Sequence, residues 1–288
     1  MTASKESKTI YEKTLLFTAS SLSSLLYFFL HRVFRYRREV VSANLMASFP
    51  DKNAREIRKM TTAYYKHMGD LIIEPILFIL IGSKGRSKLA RYSNIEFVEK
   101  FYEHKRNVVA LASHYGNWEY LINIPKMTRF SLITAYSPLT QKFANKWLLK
   151  IRSLYGVNLI AKNSFYKGVL TTMRSAVNPI ITVVIADQRP APGSNKYFVD
   201  FLGQSTCVQL GAERLANASG SVVLFLECQK KARFHYEYTF HSLGDEQTSA
   251  KPLSITQAYY NMLEKNIIAS PNHWLWSHKR WKPVAGKA

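Results

Sequence analysis

The sequence predicts an α/β fold in which a mixed, largely parallel sheet is flanked by helices. From Arg91 onward, apolar runs of strand length alternate with helix patterns, which is typical of such a sheet. The 288 residues, 47% of them hydrophobic, suffice for one substantial core. An uncharged N-terminal stretch lies apart from this alternation. We therefore predict two parts, a membrane anchor with a basic flank at residues 1–38 and a single domain at residues 39–288.

The N-terminal stretch Thr14–Leu30 is apolar and close to the shortest length that spans a bilayer as a helix. Aromatic residues lie at its end, and arginines follow directly at Arg32, Arg35, Arg37 and Arg38. Aromatic and basic residues together suit the surface of an anionic membrane. We expect a helix that spans or dips into the bilayer with its basic side cytoplasmic; the alternative is a core helix of a soluble protein.

Two further helices are predicted at Glu39–Phe49 and Asn53–Ile81, because Pro50 divides them and an apolar stripe at helical spacing runs through the second. This stripe could belong to the core or line a groove for an acyl chain. Glu74 is a charge inside the apolar run, and we expect it to pair with an arginine.

The strands and helices that follow bring polar residues to one edge of the sheet. Strands are predicted at Val108–Ala112, Phe130–Ala135, Val157–Ile160, Ile180–Ile185, Val222–Glu227 and Phe234–Phe240. Helices are predicted at Lys142–Leu154, Tyr166–Val177, Val208–Ala218 and Ser254–Ala269. In open sheets of this type ligands bind beyond the carboxyl ends of the strands, so His114, Lys162, Asp187 and Gln188 are expected at one rim. The loop Pro190–Gln204 is predicted to face the substrate, or else to be structural.

The segment Val108–Glu119 carries the pattern with the clearest chemistry. A buried strand ends before His114, turns through Gly116 and Asn117, and continues into a helix that begins near Glu119. Across such a turn an imidazole and a carboxylate can meet, and together they form an oriented general base. Because no serine or cysteine has the sequence context of a nucleophile elbow, the pair favours direct acyl transfer to an incoming hydroxyl. The alternative is a histidine that caps a turn in the core.

Several segments match one known family. They are Tyr36-Arg37-Arg38, His67-Met68-Gly69-Asp70, His114 to Glu119, Gly156-Val157-Asn158, Asp187-Gln188, Phe201-Leu202-Gly203 and Trp274 to Lys282. In these segments the chain resembles the late acyltransferases of lipid A biosynthesis, within the lysophospholipid acyltransferase-like superfamily. The resemblance covers nearly the whole chain.

The resemblance implies a glycerolipid acyltransferase-like fold with catalytic His114 and Glu119. It implies acyl-acyl carrier protein as donor and a lipid A precursor, a glycolipid, as acceptor at the cytoplasmic face of an inner membrane. The expected substrate-binding residues are Gly116, Asn117, Lys162, Asp187, Gln188, Arg189 and Gly203. Backbone N–H groups around Gly116 and Asn117 could stabilise the oxyanion. Lys162 stands where the family commonly has an arginine, and a lysine keeps the charge but loses the bidentate fork.

The charge of the chain predicts an anionic partner. Forty Lys and Arg against nineteen Asp and Glu give a formal net charge of +21, which suits nucleic acid, acidic phospholipid or an acidic carrier protein. Near the C-terminus Trp274, Trp276 and Trp281 alternate with basic residues, and they could stack on bases, lie at a lipid interface or pack in the core. No nucleic-acid motif accompanies them, so we predict an anionic membrane surface as partner and no nucleic acid.

No metal or other cofactor is expected. Cys207 and Cys228 form no Cys-x-x-Cys motif, and His, Asp and Glu do not occur at metal-ligand spacing.

Two alternatives to acyl transfer onto a lipid A precursor stay open. The same chemistry could act on another lipid acceptor (an aminolipid, a lysolipid or a polyene-linked alcohol), or the chain could be a non-catalytic basic adaptor for membrane or nucleic acid.

Overall fold

A computed structural model describes residues 2–137, 146, 149, 152, 155–190, 197–244 and 253–281. Its helices are α1 Thr2–Phe28, α2 Arg38–Ser48, α3 Ala54–Leu80, α4 Gly82–Leu89, α5 Ile95–Glu103, α6 Ile124–Met127, α7 Phe165–Ser175, α8 Gly211–Ser219 and α9 Ser254–Ala269. A π-helical turn, Phe29–Val33, extends α1. The predicted helix Lys142–Leu154 lies largely outside the described residues.

The strands confirm the predicted fold class. They are β1 Ala90–Tyr92, β2 Val108–Ala112, β3 Ser131–Tyr136, β4 Val157–Ala161, β5 Ile180–Ile185, β6 Tyr197–Phe201, β7 Gln204–Val208, β8 Val222–Ala232 and β9 His235–Ser242. Among the described residues, seven of them form one sheet in the order β1-β9-β8-β2-β5-β3-β4. Every neighbouring pair in it is parallel except β8–β9, so the sheet is mixed and largely parallel. Strand β2 is buried at all five positions.

The segment predicted as the loop Pro190–Gln204 contains half of a β-hairpin. Strands β6 and β7 pair antiparallel, with Phe201 opposite Gln204. The two residues between them, Leu202 and Gly203, both have left-handed φ values of 53° and 69°. This is the backbone of a tight two-residue hairpin turn, which favours glycine at its second position. Gly203 therefore has a conformational reason to be glycine, and residues 191–196 of the predicted loop lie outside the described residues.

The N-terminal helix packs against the domain. Among the described helices, Thr9–Val33 is long and apolar enough to cross a membrane by length and composition. Gly69 on α3 lets the two helices approach closely, because a Cβ there would lie 2.6 Å from the carbonyl oxygen of Ser23. The buried Ser23 hydroxyl also donates to Asp70 Oδ1 at 2.6 Å. The division at residue 38 stays a prediction, since α1 is bonded to the domain through α3.

The C-terminal tryptophans pack in the core. Trp274 and Trp276 are 2% and 0% exposed, and Trp281 contacts Phe201 and Trp274. Arg280 is also buried and donates to the carbonyl of Cys207. Of the three interpretations of this segment, core packing is the one that the structure supports, and the buried rings are not available for stacking on bases.

Candidate active site

The pairing of β2 with β5 brings two polar residues together at one edge of the sheet. The strands are parallel, and their register sets Ala112 opposite Ile185. His114 and Asp187 each follow their strand by two residues, so both emerge at the same rim. His114 Nδ1 lies 2.8 Å from Asp187 Oδ1. An imidazole and a carboxylate thus meet across two strands that are far apart in the sequence.

Asp187 is held in place by three donors. Its Oδ1 faces the imidazole, and its Oδ2 accepts the backbone N–H of His114 at 3.0 Å and the indole N–H of Trp274 at 2.7 Å. Its side chain is 2% exposed. Burial alone would raise the pKa of Asp187, but the charge and hydrogen bonds of His114 and the bond from Trp274 outweigh it, so the pKa is lowered from its ordinary value. The carboxylate is therefore ionised and fixed.

The ionised carboxylate sets the tautomer of His114. Nδ1–H donates to Asp187, which leaves Nε2 with a free electron pair. The side-chain nitrogen of Gln188 lies 3.1 Å from Nε2 and donates to it in this tautomer. An imidazole with Nδ1–H bound to a carboxylate and Nε2 as acceptor is arranged to act as a general base.

Glu119 is not the carboxylate that orients His114, contrary to our expectation. Both of its oxygens accept from the guanidinium of Arg152, at 3.0 and 3.1 Å. A carboxylate gains more from a permanent positive charge than from a neutral imidazole, and Asp187 already occupies Nδ1. Between the two residues of the motif, the ring of Trp118 packs edge-on against the His114 ring, with centroids 4.8 Å apart.

The turn between His114 and Glu119 is built by Gly116 and Asn117. Gly116 has a φ of 66°, and a Cβ there would lie 2.3 Å from the sulfur of Cys228. Its N–H donates to the carbonyl of His273 at 2.9 Å. The fully buried Asn117 side chain accepts the N–H of Glu119 at 2.9 Å, which starts a 3-10 helix there.

These bonds bear on the expected role of Gly116 and Asn117 as oxyanion donors, while their role in substrate binding stays a prediction. The N–H of Gly116 is already used, and the backbone of Asn117 hydrogen-bonds the thiol of Cys228. Neither residue is therefore an available oxyanion donor in this structure. They shape the turn that carries His114 and Glu119.

Glu74 lies beneath this turn and does not pair with an arginine as expected. Its Oε2 accepts from the Asn117 amide at 2.6 Å, and its Oε1 accepts from the Tyr236 hydroxyl at 2.7 Å. The residue is 0% exposed. Burial raises the pKa of Glu74 to about 7. Helix α3 thus fixes the turn through one buried carboxyl group.

Two spaces meet beside His114. The first, here called the apolar groove, has a volume of about 700 Å³; its apolar lining includes Leu30 of the π-helical turn and, on α3, Met68, Leu71, Ile72, Pro75 and Ile76. The second, here called the strand-end cavity, has a volume of about 550 Å³ and is lined by His114, Thr134, Tyr136, Lys162 and Gln209 among others. Trp118, Glu119, Arg152 and Gln188 line both. Hydrocarbon in the groove would therefore end near the imidazole.

Comparison with protein families decides the class of this chain. The model of the bacterial lipid A biosynthesis acyltransferase family matches residues 16–283. The chain belongs to this family. A comparison with curated proteins found no match. Membership makes the protein an acyltransferase, and together with the apolar helix Thr9–Val33 it indicates association with a membrane.

The structure of the acyltransferase brings together only part of the residues expected at its site. His114, Glu119, Lys162 and Gln188 line the strand-end cavity, while Asp187 lies behind His114. Arg189 follows Gln188 in the chain and is partly buried, and Gly203 lies in the hairpin turn. Their roles in substrate binding stay predictions.

Two residues of the site carry no signal that sequence reasoning could use. Arg152 falls in a helix pattern that offers several cations, and Trp274 is one of three tryptophans in its segment. A stronger signal existed for Asp187, because it follows a buried strand just as His114 does. Within the described residues, no three His, Cys, Asp or Glu side chains are grouped so that they could hold a metal ion.

Proposed function

We propose that this acyltransferase moves a fatty acyl chain from acyl-acyl carrier protein to a hydroxyl of a lipid A precursor at the cytoplasmic face of an inner membrane. The observation that carries the proposal is the imidazole of His114: Asp187 fixes its Nδ1, the Gln188 amide bonds its Nε2, and the ring lines the strand-end cavity beside the residues that this cavity shares with the apolar groove. Family membership supports the lipid A acceptor. The net charge of +21 suits an acidic carrier and an anionic glycolipid.

In the proposed reaction, Nε2 of His114 takes the proton of the acceptor hydroxyl. The oxygen then attacks the thioester carbonyl, and the tetrahedral intermediate expels the carrier thiolate, which takes the proton back from the imidazolium. Asp187 stabilises the imidazolium, because it is ionised and bonded to Nδ1. Gln188 has to leave Nε2 when the hydroxyl binds there, since both would use the same electron pair.

The two spaces suit the two kinds of substrate group. The apolar groove is lined by aliphatic and aromatic side chains and suits hydrocarbon. The strand-end cavity has Thr134, Tyr136, Lys162 and Gln209 in its wall, and these polar groups suit the amide-containing arm of a carrier thioester. Glu119 and Arg152 stand at the junction, where both substrates would pass.

The test is acyl transfer by the full-length protein in neutral detergent, with a panel of acyl-carrier thioesters and a purified lipid A precursor. Mass spectrometry should show the gain of one ester-linked acyl chain. His114→Ala should lower turnover by roughly 100-fold or more, because the general base is lost. If wild-type protein acylates an aminolipid, a lysolipid or a polyene-linked alcohol but not the lipid A precursor, the acceptor is wrong. Full turnover in His114→Ala would reject the general base.

A further inference from the structure

A group of positive charges lies at the end of the apolar groove that is nearest the N-terminal helix. Arg35, Arg37, Arg38 and Lys279 are exposed and line a cleft of about 890 Å³, here called the basic cleft. Glu39 also lines it, so four cations and one carboxylate leave a net charge of +3. Among the described residues, none of the four cations forms an ion pair with a carboxylate. Their charge is thus left for another partner.

The loop that carries two of these cations, Arg35 and Arg37, is held in an unusual backbone conformation, and Arg38 follows it at the start of α2. Arg35 and Arg37 have left-handed φ values of 48° and 52°, which are unfavourable for residues with a Cβ. Tyr65 donates its hydroxyl to the carbonyl of Tyr36 between them at 2.6 Å. The guanidinium of Arg37 donates to the carbonyl of Ser277 at 3.1 Å. These bonds hold the arginines next to the segment that carries Lys279.

The basic cleft continues into the apolar groove. Arg37 lines both spaces, and Tyr36 lines the groove beside it. The groove then follows α3 to Gln188, whose amide reaches His114. One continuous surface therefore has positively charged side chains at one end, apolar side chains in the middle and the His114 imidazole at the other end. An amphipathic anion matches that order.

The cleft also lies where the candidate membrane helix ends. That helix runs to Val33, and Arg35 follows two residues later. Phe28, Phe34 and Tyr36 are 50%, 71% and 42% exposed around this point. Exposed aromatic rings beside arginines are typical of the level of lipid headgroups. A lipid in the bilayer would present its headgroup at this height.

We infer that the basic cleft binds the phosphate of the headgroup of the acceptor lipid, whose hydrocarbon lies along the apolar groove. The inference rests on the proposed function only in taking the acceptor to be a lipid. Arginine suits this task because its planar guanidinium pairs with two phosphate oxygens at once. The site would hold the lipid at its charged end while the hydroxyl to be acylated reaches Nε2 of His114.

The test compares binding of two lipids to the full chain in neutral detergent micelles. Phosphatidic acid carries a phosphate, and diacylglycerol has the same chains without it. The variant is Arg35→Gln with Lys279→Gln, because Arg37 and Ser277 share a described hydrogen bond that must stay intact. The matched control is Lys100→Gln with Lys105→Gln, which removes two exposed cations on and after α5.

Wild type and control should bind phosphatidic acid more tightly than diacylglycerol. The variant should bind phosphatidic acid roughly 10- to 30-fold more weakly, with diacylglycerol unchanged, because two cations near the phosphate are lost. Equal weakening in the control, or equal binding of both lipids by wild type, would overturn the inference. So would displacement of phosphatidic acid by inorganic phosphate at the same concentration, since the site would then take a free anion.

A turnover measurement separates this inference from the proposed function. With a phosphorylated acceptor, the variant should show a KM raised by roughly 10-fold or more and a kcat within about 2-fold of wild type. Acyl transfer by the variant with an unchanged KM would reject phosphate binding by the basic cleft without contradicting the proposed function. A wild type that binds phosphatidic acid through the cleft but transfers no acyl chain would reject the proposed function and leave the cleft standing.

Discussion

Asp187 and Glu119 give the candidate site two carboxylates that differ in depth and in partner. The Asp187 side chain is 2% exposed and receives N–H groups from His114 and Trp274. The Glu119 side chain is 28% exposed and pairs with Arg152, which is 16% exposed. The buried Asp187 carboxylate is held in place by its N–H donors, whereas the partly exposed Glu119 carboxylate borders both the apolar groove and the strand-end cavity. The difference assigns orientation of the imidazole to Asp187, and we predict that Glu119 and Arg152 contact the substrate.

The largest effect is expected from Asp187→Asn. The amide keeps the shape of the carboxyl group, but its NH₂ group can donate to Nδ1 and so favour the wrong tautomer of His114. The amide also has no charge with which to stabilise the imidazolium. We expect kcat to fall by roughly 10²- to 10⁴-fold. The measurement is turnover at saturating substrates, with thermal unfolding as the control that the variant is folded. A folded variant with a kcat within about 3-fold of wild type would show that Asp187 does not serve His114.

A smaller effect is expected from Glu119→Gln, with Arg152→Gln as its matched partner. Each change breaks the pair at the junction of the two spaces and leaves the bond between His114 and Asp187 in place. We expect roughly a 10-fold loss in kcat/KM, carried mainly by KM, and a double variant that is less impaired than the product of the two single losses.

The same kinetic measurements can also contradict the assignment of different roles to Asp187 and Glu119. If Glu119→Gln lowers kcat as much as Asp187→Asn does, then Glu119 acts in the chemical step and the difference in depth does not separate the two roles. Steady-state kinetics of wild type and the four variants under one set of conditions decides between these results.

The smallest effect concerns stability and its dependence on pH. Glu74 supports the turn that carries Glu119, and burial raises its pKa from 4.5 to about 7. Between these values the unfolded chain releases the proton and the folded chain keeps it, so this group lowers the stability of the fold as pH rises from 4.5 to 7. Relative to Glu74→Gln, wild type should lose about 1–3 kcal/mol of unfolding free energy over this range.

Urea unfolding of the two proteins in neutral detergent at several pH values checks this prediction. Glutamine at position 74 can still accept from Asn117 and bond to Tyr236, so the variant should fold. Parallel curves for the two proteins from pH 5 to 8 would show that Glu74 stays ionised in the folded state.

The local features of the site were predictable from sequence, and its pairing was not. Strands β2 and β5 lie where their apolar runs predict them, and the polar residues that follow them, His114 and Asp187, were both predicted at the rim of the sheet. Which strands are neighbours depends on how the helices between them pack, and no local pattern records it. The spacing from His114 to Glu119 therefore suggested a partner within the motif, while the structure supplies Asp187 from the adjacent strand.

Short elements were also missed, for a similar reason. Strand β1 has three residues, and β6 lies behind a segment rich in proline and glycine. The hairpin depends on left-handed φ values at Leu202 and Gly203, and leucine gives no signal for such a conformation. Arg152 could not be chosen as the partner of Glu119, because a chain with forty Lys and Arg offers many candidates.

The hydrogen bond between Ser23 and Asp70 bears on the height of the candidate active site relative to a membrane. It ties the apolar helix to α3, and α3 in turn carries the wall of the groove and, through Glu74, the turn beside the imidazole. A tilt or shift of that helix in a bilayer would thus also move the candidate active site. Under the proposed function, we expect this link to set the height of His114 above the lipid tails and so to limit which hydroxyl of a headgroup it can reach.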